Sequence, residues 1–162
     1  MANLVTEQEM FFNSFEPKMK NRFICYIDGI PSYLVRKISR PQLTQDAKEL
    51  PHINVSRYIK GKSKWNPLTF TLYDPIVPSG AQAVMEWVRL HHESVTGRDG
   101  YADFYKKDLI FNMLGPVGDK VEEWVLKGCI ITDFNANDAD WNVDDPAEIT
   151  LTVQPDYCIL NF

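Results

Sequence analysis

The chain has 162 residues, 44% of them apolar, enough to close one hydrophobic core and too few to divide well into two. Its formal charge of -5 excludes a surface that as a whole grips phosphate backbones, which needs Lys and Arg in excess. Three cysteines, Cys25, Cys129 and Cys158, form no Cys-x-x-Cys pair and leave one over, which argues against a disulfide framework or a zinc ribbon and points to folding in a reducing cytoplasm.

One domain over residues 1–162 is expected, beginning with a mixed leader over 1–20. Met1 to Glu9 has neither a basic start nor an apolar core, and no apolar run approaches the roughly 20 residues that cross a bilayer. The expectation is a soluble protein without a membrane anchor or the usual export signal. Arg22 to Asp28 carries β-branched and aromatic residues on both alternating faces, as a strand covered on two sides would. Asp28-Gly29 supplies a hairpin turn, and Ser32 to Ser39 returns as a second strand ended by Pro41. Residues 42–59 are polar and interrupted by Pro51, so 42–65 reads as a long extended arm or loop, and loops of that length are usually functional.

From Asn66 to Tyr73 the pattern of a half-buried strand is plain: Leu68, Phe70 and Leu72 share one face, and Thr69, Thr71 and Tyr73 the other. Ser79 and Gln82 form a capping box for a helix over 79–93, whose apolar stripe is Val84, Trp87, Val88 and His91. Strands are then predicted at Lys107 to Leu114, Lys120 to Lys127, Cys129 to Phe134 and, last, Ala147 to Val153. Short strands separated by turn signals make a mainly β chain, a sandwich or barrel with one flanking helix.

Charge divides the chain. Lys18 to Lys64 holds eleven Lys or Arg against three Asp or Glu, whereas residues 65–162 hold six against sixteen. Within the second part lie Asp133, Asp138, Asp140, Asp144, Asp145 and Glu148 without one basic residue between them. A two-ended subunit favours head-to-tail contact, basic arm to acidic segment, and contacts of that kind build rings or filaments. Lys60, Lys62 and Lys64 alternate, which in an extended arm projects them to one side with Trp65 opposite. These four and the six acidic residues are the candidates for contact between subunits. The plain alternative is that both charge runs are solvated loops.

No constellation reads as an active site. Adjacent His91 and His92 point about 100° apart on a helix, and Asp133-x-Asn135-x-Asn137 imitates a calcium loop but has Asp138 where the turn needs Gly. Glu122 and Glu123 face opposite sides of a strand, which suits an edge or lumen-facing place better than an acid/base pair. Nucleotide-binding glycine motifs, a nucleophile elbow and a His beside any cysteine are all missing. Catalytic residues, metal and cofactor are therefore each expected to be none.

The order of a Lys-rich arm over 60–64, Trp65, the alternating strand at Leu68 to Leu72 and one amphipathic helix around Glu86-Trp87 resembles the tail-tube proteins of contractile-tailed bacteriophages. Tube proteins of related injection machines share that fold. Trp124 to Cys129 resembles a strand motif that recurs in the family's later half, and the acidic segment 133–148 a loop before its last strand. The resemblance, spanning about residues 20–160, implies a structural protein of the virion tail, assembled in the bacterial cytoplasm. It implies hexameric rings stacking into an inner tube for genome delivery, with a sheath outside, a baseplate at its start, tape-measure protein in the lumen and DNA passing unbound. Two alternatives stand beside it: a baseplate or tube-initiating ring of the same fold, and a small β-barrel nucleic-acid module using Lys60, Lys62, Lys64 and Trp65 on phosphates and a stacked base.

Overall fold

In the computed structural model, the described residues are 6, 15–77 and 79–162; the leader expected over 1–20 lies largely outside them. The chain is mainly β: of the described residues, 51% are strand and 13% helix. Seven strands form the body: β1 (Phe23–Tyr26), β2 (Val35–Ile38), β5 (Leu68–Tyr73), β6 (Lys107–Leu114), β7 (Lys120–Asn135), β8 (Glu148–Gln154) and β9 (Tyr157–Asn161). Strands β3 (Leu43–His52) and β4 (Val55–Trp65) form a separate two-stranded ribbon. Helix α1 (Gly80–His91) flanks the body, and α2 (Ala102–Tyr105) is a single turn after it.

All pairing is antiparallel, in the order β1-β6-β7-β8-β5-β2, with β9 also on β7. Strand β7 is the hinge of the body. Its first half pairs with β6 and β9 and its second with β8, so one strand serves two sheets that face each other across the core. It is a single bent strand and not the two predicted, because Gly128 at φ +62° turns the backbone where a side chain would be strained. A Cβ there would also collide with the Asp156 carboxylate.

The core follows from alternation. Leu68, Phe70 and Leu72 of β5 pack with Ile149, Leu151 and Val153 of β8 and with Leu109, Phe111 and Met113 of β6, all nearly inaccessible. Helix α1 adds Val84 and Trp87; Ser79 caps it by accepting from Gln82 N, and Trp87 Nε1 donates to Tyr105 O at 2.7 Å. His91 closes the other end: Ile131 N–H donates to its Nε2, which leaves Nδ1 to donate to Trp87 O. Helix and bent strand are thereby tied together.

Several expectations are corrected. Strand β1 is covered on one face only, with Tyr26 exposed, because no second layer lies beyond it among the described residues. Gly29 does turn the chain, at φ +83°, but a 3-10 turn at Ser32–Leu34 then carries it across the core, so β2 pairs with β5 instead of returning on β1. The extended arm or loop expected over 42–65 is an arm, built as a paired ribbon where a loop stood as the alternative; Pro51 is accommodated near its end, opposite Ser56. The last strand is β9, beyond the predicted one. Trp124 is half-buried at the core's margin.

Candidate functional site

Three surfaces stand out, and the body's strand order positions all of them. The first is the ribbon. It leaves the body after Arg40, returns at Trp65 and packs on the body only near this root. A register shift between Gln45 and Ala47 breaks its alternation: Lys60 stands opposite Ala47 but Lys64 opposite Thr44, three residues away, so these lysines lie on opposite faces. The predicted one-sided lysine row is thus not formed. Trp65 does not project either; it is half-buried, edge-on to Trp124 at 6.3 Å between ring centroids.

Towards the tip, one face of the ribbon alternates Leu50, Val55 and Ile59 with Lys48, His52 and Arg57, and all six side chains are exposed. Ile53 at the turn is 89% exposed at φ +52°, a conformation costly for a β-branched residue. The two-residue hairpin turn between His52 and Val55 requires that positive φ; that it carries an exposed Ile and not Gly puts strain at the tip, and strain of this kind clusters at functional sites. Sequence reasoning missed these residues because a strand with no buried side gives no periodic signal.

The second surface is acidic. Asn135 Oδ1 accepts from Asn137 N, and Asn137 Nδ2 donates to Glu148 O, which pins the segment between β7 and β8 against the β8 end. Beside it lies an open groove of about 730 Å³, lined among others by Asp138, Asp140, Asp145, Glu148, Arg36 and Tyr73. Four of the six predicted acids therefore converge. Asp144 is exposed outside the lining, and Asp133 belongs to the third surface. Glu148 is ion-paired with Arg36, whereas Asp138, Asp140 and Asp145 have no cationic partner among the described residues. Trp141 stands fully exposed on the same segment.

The third surface is the outer face of the β2-β5-β8-β7 sheet. Pairing places Lys37, Thr71, Thr150 and Asn135 in one row and Thr69, Thr152 and Asp133 in the next. It is a carpet of small hydroxyls with balanced charge. The outer face of the β1-β6-β7-β9 sheet differs: Tyr26, Ile110, Val125 and Ile159 lie along one row of it. Strands β1, β2 and β9 each have one strand partner and so leave open edges on the body among the described residues.

Glu122 corrects the edge or lumen-facing expectation. It is 4% exposed, on the core side of β7 with Trp124 and Leu126, and is held by Lys18, by Trp124 Nε1 and by Arg40 at 2.7 Å. Burial pushes its carboxyl up, but these donors outweigh burial and hold it at about 2. The signal for this was present, since Glu122, Trp124 and Leu126 share one strand face. All three cysteines are buried, and burial pushes Cys25 and Cys129 up to about 12 and Cys158 to about 11, which leaves them unreactive. Among the described residues, no three His, Cys, Asp or Glu side chains cluster as a metal site and no helix is long and apolar enough to cross a membrane.

No protein-family model matches the chain, and neither does any curated protein sequence. Solved structures do match. A chain of the anti-feeding prophage cap, the tube-terminating cap, aligns with a TM-score of 0.76 at 14% identity over 97% of this chain and 99% of that one. A chain of the PVC sheath/tube terminator, from an extracellular contractile injection system in its extended state, gives 0.75 at 16% over 93% and 100%. A chain of the PVC sheath-tube complex gives 0.71 at 17% over 90% and 91%. At these identities the shared property is the fold, which is that of tube and tube-terminator components.

Proposed function

We propose that the chain is a structural ring-former of a contractile injection machine, six copies closing into a ring and rings stacking into a tube. The observation that carries this is the ribbon, which extends from the body and exposes cations and apolar side chains on a strained tip. The body supplies the complement in the groove of Asp138, Asp140 and Asp145. A basic arm on one copy and an acidic groove on the next make a heterologous contact, the type that closes into rings. Lys60, Lys62, Lys64, Asp144 and Glu148 add charge around the same contact, Asp133 stands apart on the hydroxyl face, and Trp65 fixes the root of the arm. The open edges of β1, β2 and β9 are a pairing hazard in a monomer and are consumed when neighbours close the sheets.

In such a ring the threonine face turns inward, since a small, neutral, hydroxyl-covered wall holds nothing that passes, while the face bearing Tyr26, Ile110 and Val125 meets a neighbour. Residues 1–162 act as one domain. The finer reading is the inner tail tube of a contractile bacteriophage tail, with sheath, baseplate and tape-measure protein as partners and DNA in transit, and the virion as its location. It rests on the motif order of residues 60–92.

A terminating or initiating ring is the second reading, favoured by the cap and terminator assemblies among the matched structures. Negative-stain imaging of the concentrated, purified protein separates them. Stacked annuli are expected for a tube protein, single rings that never elongate for an end piece. Monodisperse monomer at high concentration would overturn both.

A further inference from the structure

One leg of the ribbon reaches a buried carboxylate directly, and the other rests on it through Trp124. Arg40, the last residue but two before β3 begins, donates to Glu122 Oε1. Trp124, donating to the same oxygen, supports Trp65, the last residue of β4, edge to face. The second oxygen, Oε2, takes Lys18 from the segment preceding β1. Around this node the root is completed by Asn66 N to Gln42 O at 2.9 Å, the Thr44 and Asn66 side chains, and Gln154 Nε2 to Trp65 O at 2.9 Å.

Beyond the root, residues 45–60 are exposed throughout. A ten-residue antiparallel strand spans about 34 Å, so tilting the root by about 10° carries the tip about 6 Å, more than one strand spacing. Small changes at the root therefore decide where the tip points.

We propose that Glu122 is the positioning residue of the arm, and that Lys18 couples the N-terminal segment to the arm's direction through the same carboxylate. Its consequence for assembly rests on the reading of the ribbon as an inter-subunit contact. The node suits the task because it is nearly closed to water, with Glu122 4% exposed, while two of its donors, Lys18 and Arg40, come from segments that are themselves exposed. This carboxylate links the preceding segment and the first leg to β7 directly, and the second leg through Trp124. Withdrawing Lys18 leaves Oε2 buried without its cation, and the carboxylate must then re-pair at the expense of Arg40 or Trp124. The state of the N-terminal segment is thereby transmitted to the ribbon root.

Hydrogen exchange on the full-length protomer, read by segment, tests this with Glu122→Gln and, in case that variant does not fold, Lys18→Met and Arg40→Met. Each is expected to raise exchange at least tenfold at 42–45 and 63–66 while leaving 68–73 and 149–153 unchanged, and to lower polymer yield at the same protein concentration. Lys18→Met should do so although residue 18 lies outside the ribbon. Unchanged exchange at the root in the folded variants would overturn the proposal, as would an equal rise across the core strands, the mark of general destabilisation. If the unaltered protein never polymerises, the ring reading fails, yet the exchange pattern still decides the role of Glu122.

Discussion

At the residue scale, burial and backbone geometry separate what is fixed from what is free. Replacing Trp87 by Ala removes a side chain 1% exposed, together with its bond to Tyr105 O, and should cost about 3–5 kcal/mol in thermal or denaturant unfolding. Gly128→Ala forces a side chain into left-handed backbone and against Asp156 and should cost about 1–3 kcal/mol or more. Trp87 was legible in the sequence because Val84, Trp87, Val88 and His91 recur at helical spacing. Glu122 was half legible: its strand face could be read from Trp124 and Leu126, but its cationic donors, Lys18 and Arg40, lie 104 and 82 residues away in the chain and leave no local trace. Its depressed carboxyl gives a pH signature. The stabilisation is fully present above the ordinary carboxylate range and is lost as pH falls from about 4 through about 2, so the ribbon root should loosen in acid. A root whose exchange at pH 2, corrected for intrinsic rate, matched that at pH 6 would contradict this.

At the element scale, the strands with one buried side were readable and the others were not. Strand β5 shows strict alternation of buried and accessible residues, which period-two hydrophobicity announces. The ribbon has no buried face outside its root, so its pairing is set by cross-strand partners instead of by a core, and polar composition disguises two strands as a loop. Strand β7 reads as two in the sequence because Gly128 looks like a break, when its positive φ is what lets one strand serve both sheets. Because the ribbon contributes little to the core, its variants should separate assembly from folding. Lys60→Glu, Lys62→Glu and Lys64→Glu combined should reduce polymer yield at least tenfold with the monomer's melting temperature within a few degrees of the parent. Ile53→Asn relieves strain at the tip while removing its exposed apolar group, so it should hold or raise monomer stability and still weaken assembly. Polymer yield unchanged in both would remove the ribbon from the interface.

At the scale of the whole molecule, the charge division read from the sequence survives folding only in part. Arg36, Arg40 and Lys18 are paired within the chain to Glu148 and Glu122, so the intramolecular ion pairs absorb some of the asymmetry. The ribbon lysines and Asp138, Asp140 and Asp145 keep theirs, which leaves the opposed patches where a neighbour can join them. The same folding creates a surface that no stretch of sequence displays: Thr69 and Thr71 come from one strand, Thr150 and Thr152 from another some eighty residues on, and only pairing makes them a wall. If that wall lines the bore, Thr71→Cys and Thr150→Cys in assembled tubes should react with a small maleimide entering the lumen but resist a maleimide on a polymer too wide for the bore. Val95→Cys, at a position 93% exposed, should take both reagents if it lies on the outside. The native thiols, buried with strongly raised pKa values, give little background. Equal labelling of the Thr71→Cys and Thr150→Cys variants by the wide reagent in intact tubes would turn the hydroxyl face outward and leave the face bearing Tyr26 and Ile159 as the wall, an apolar lining to which unfolded chains would adhere.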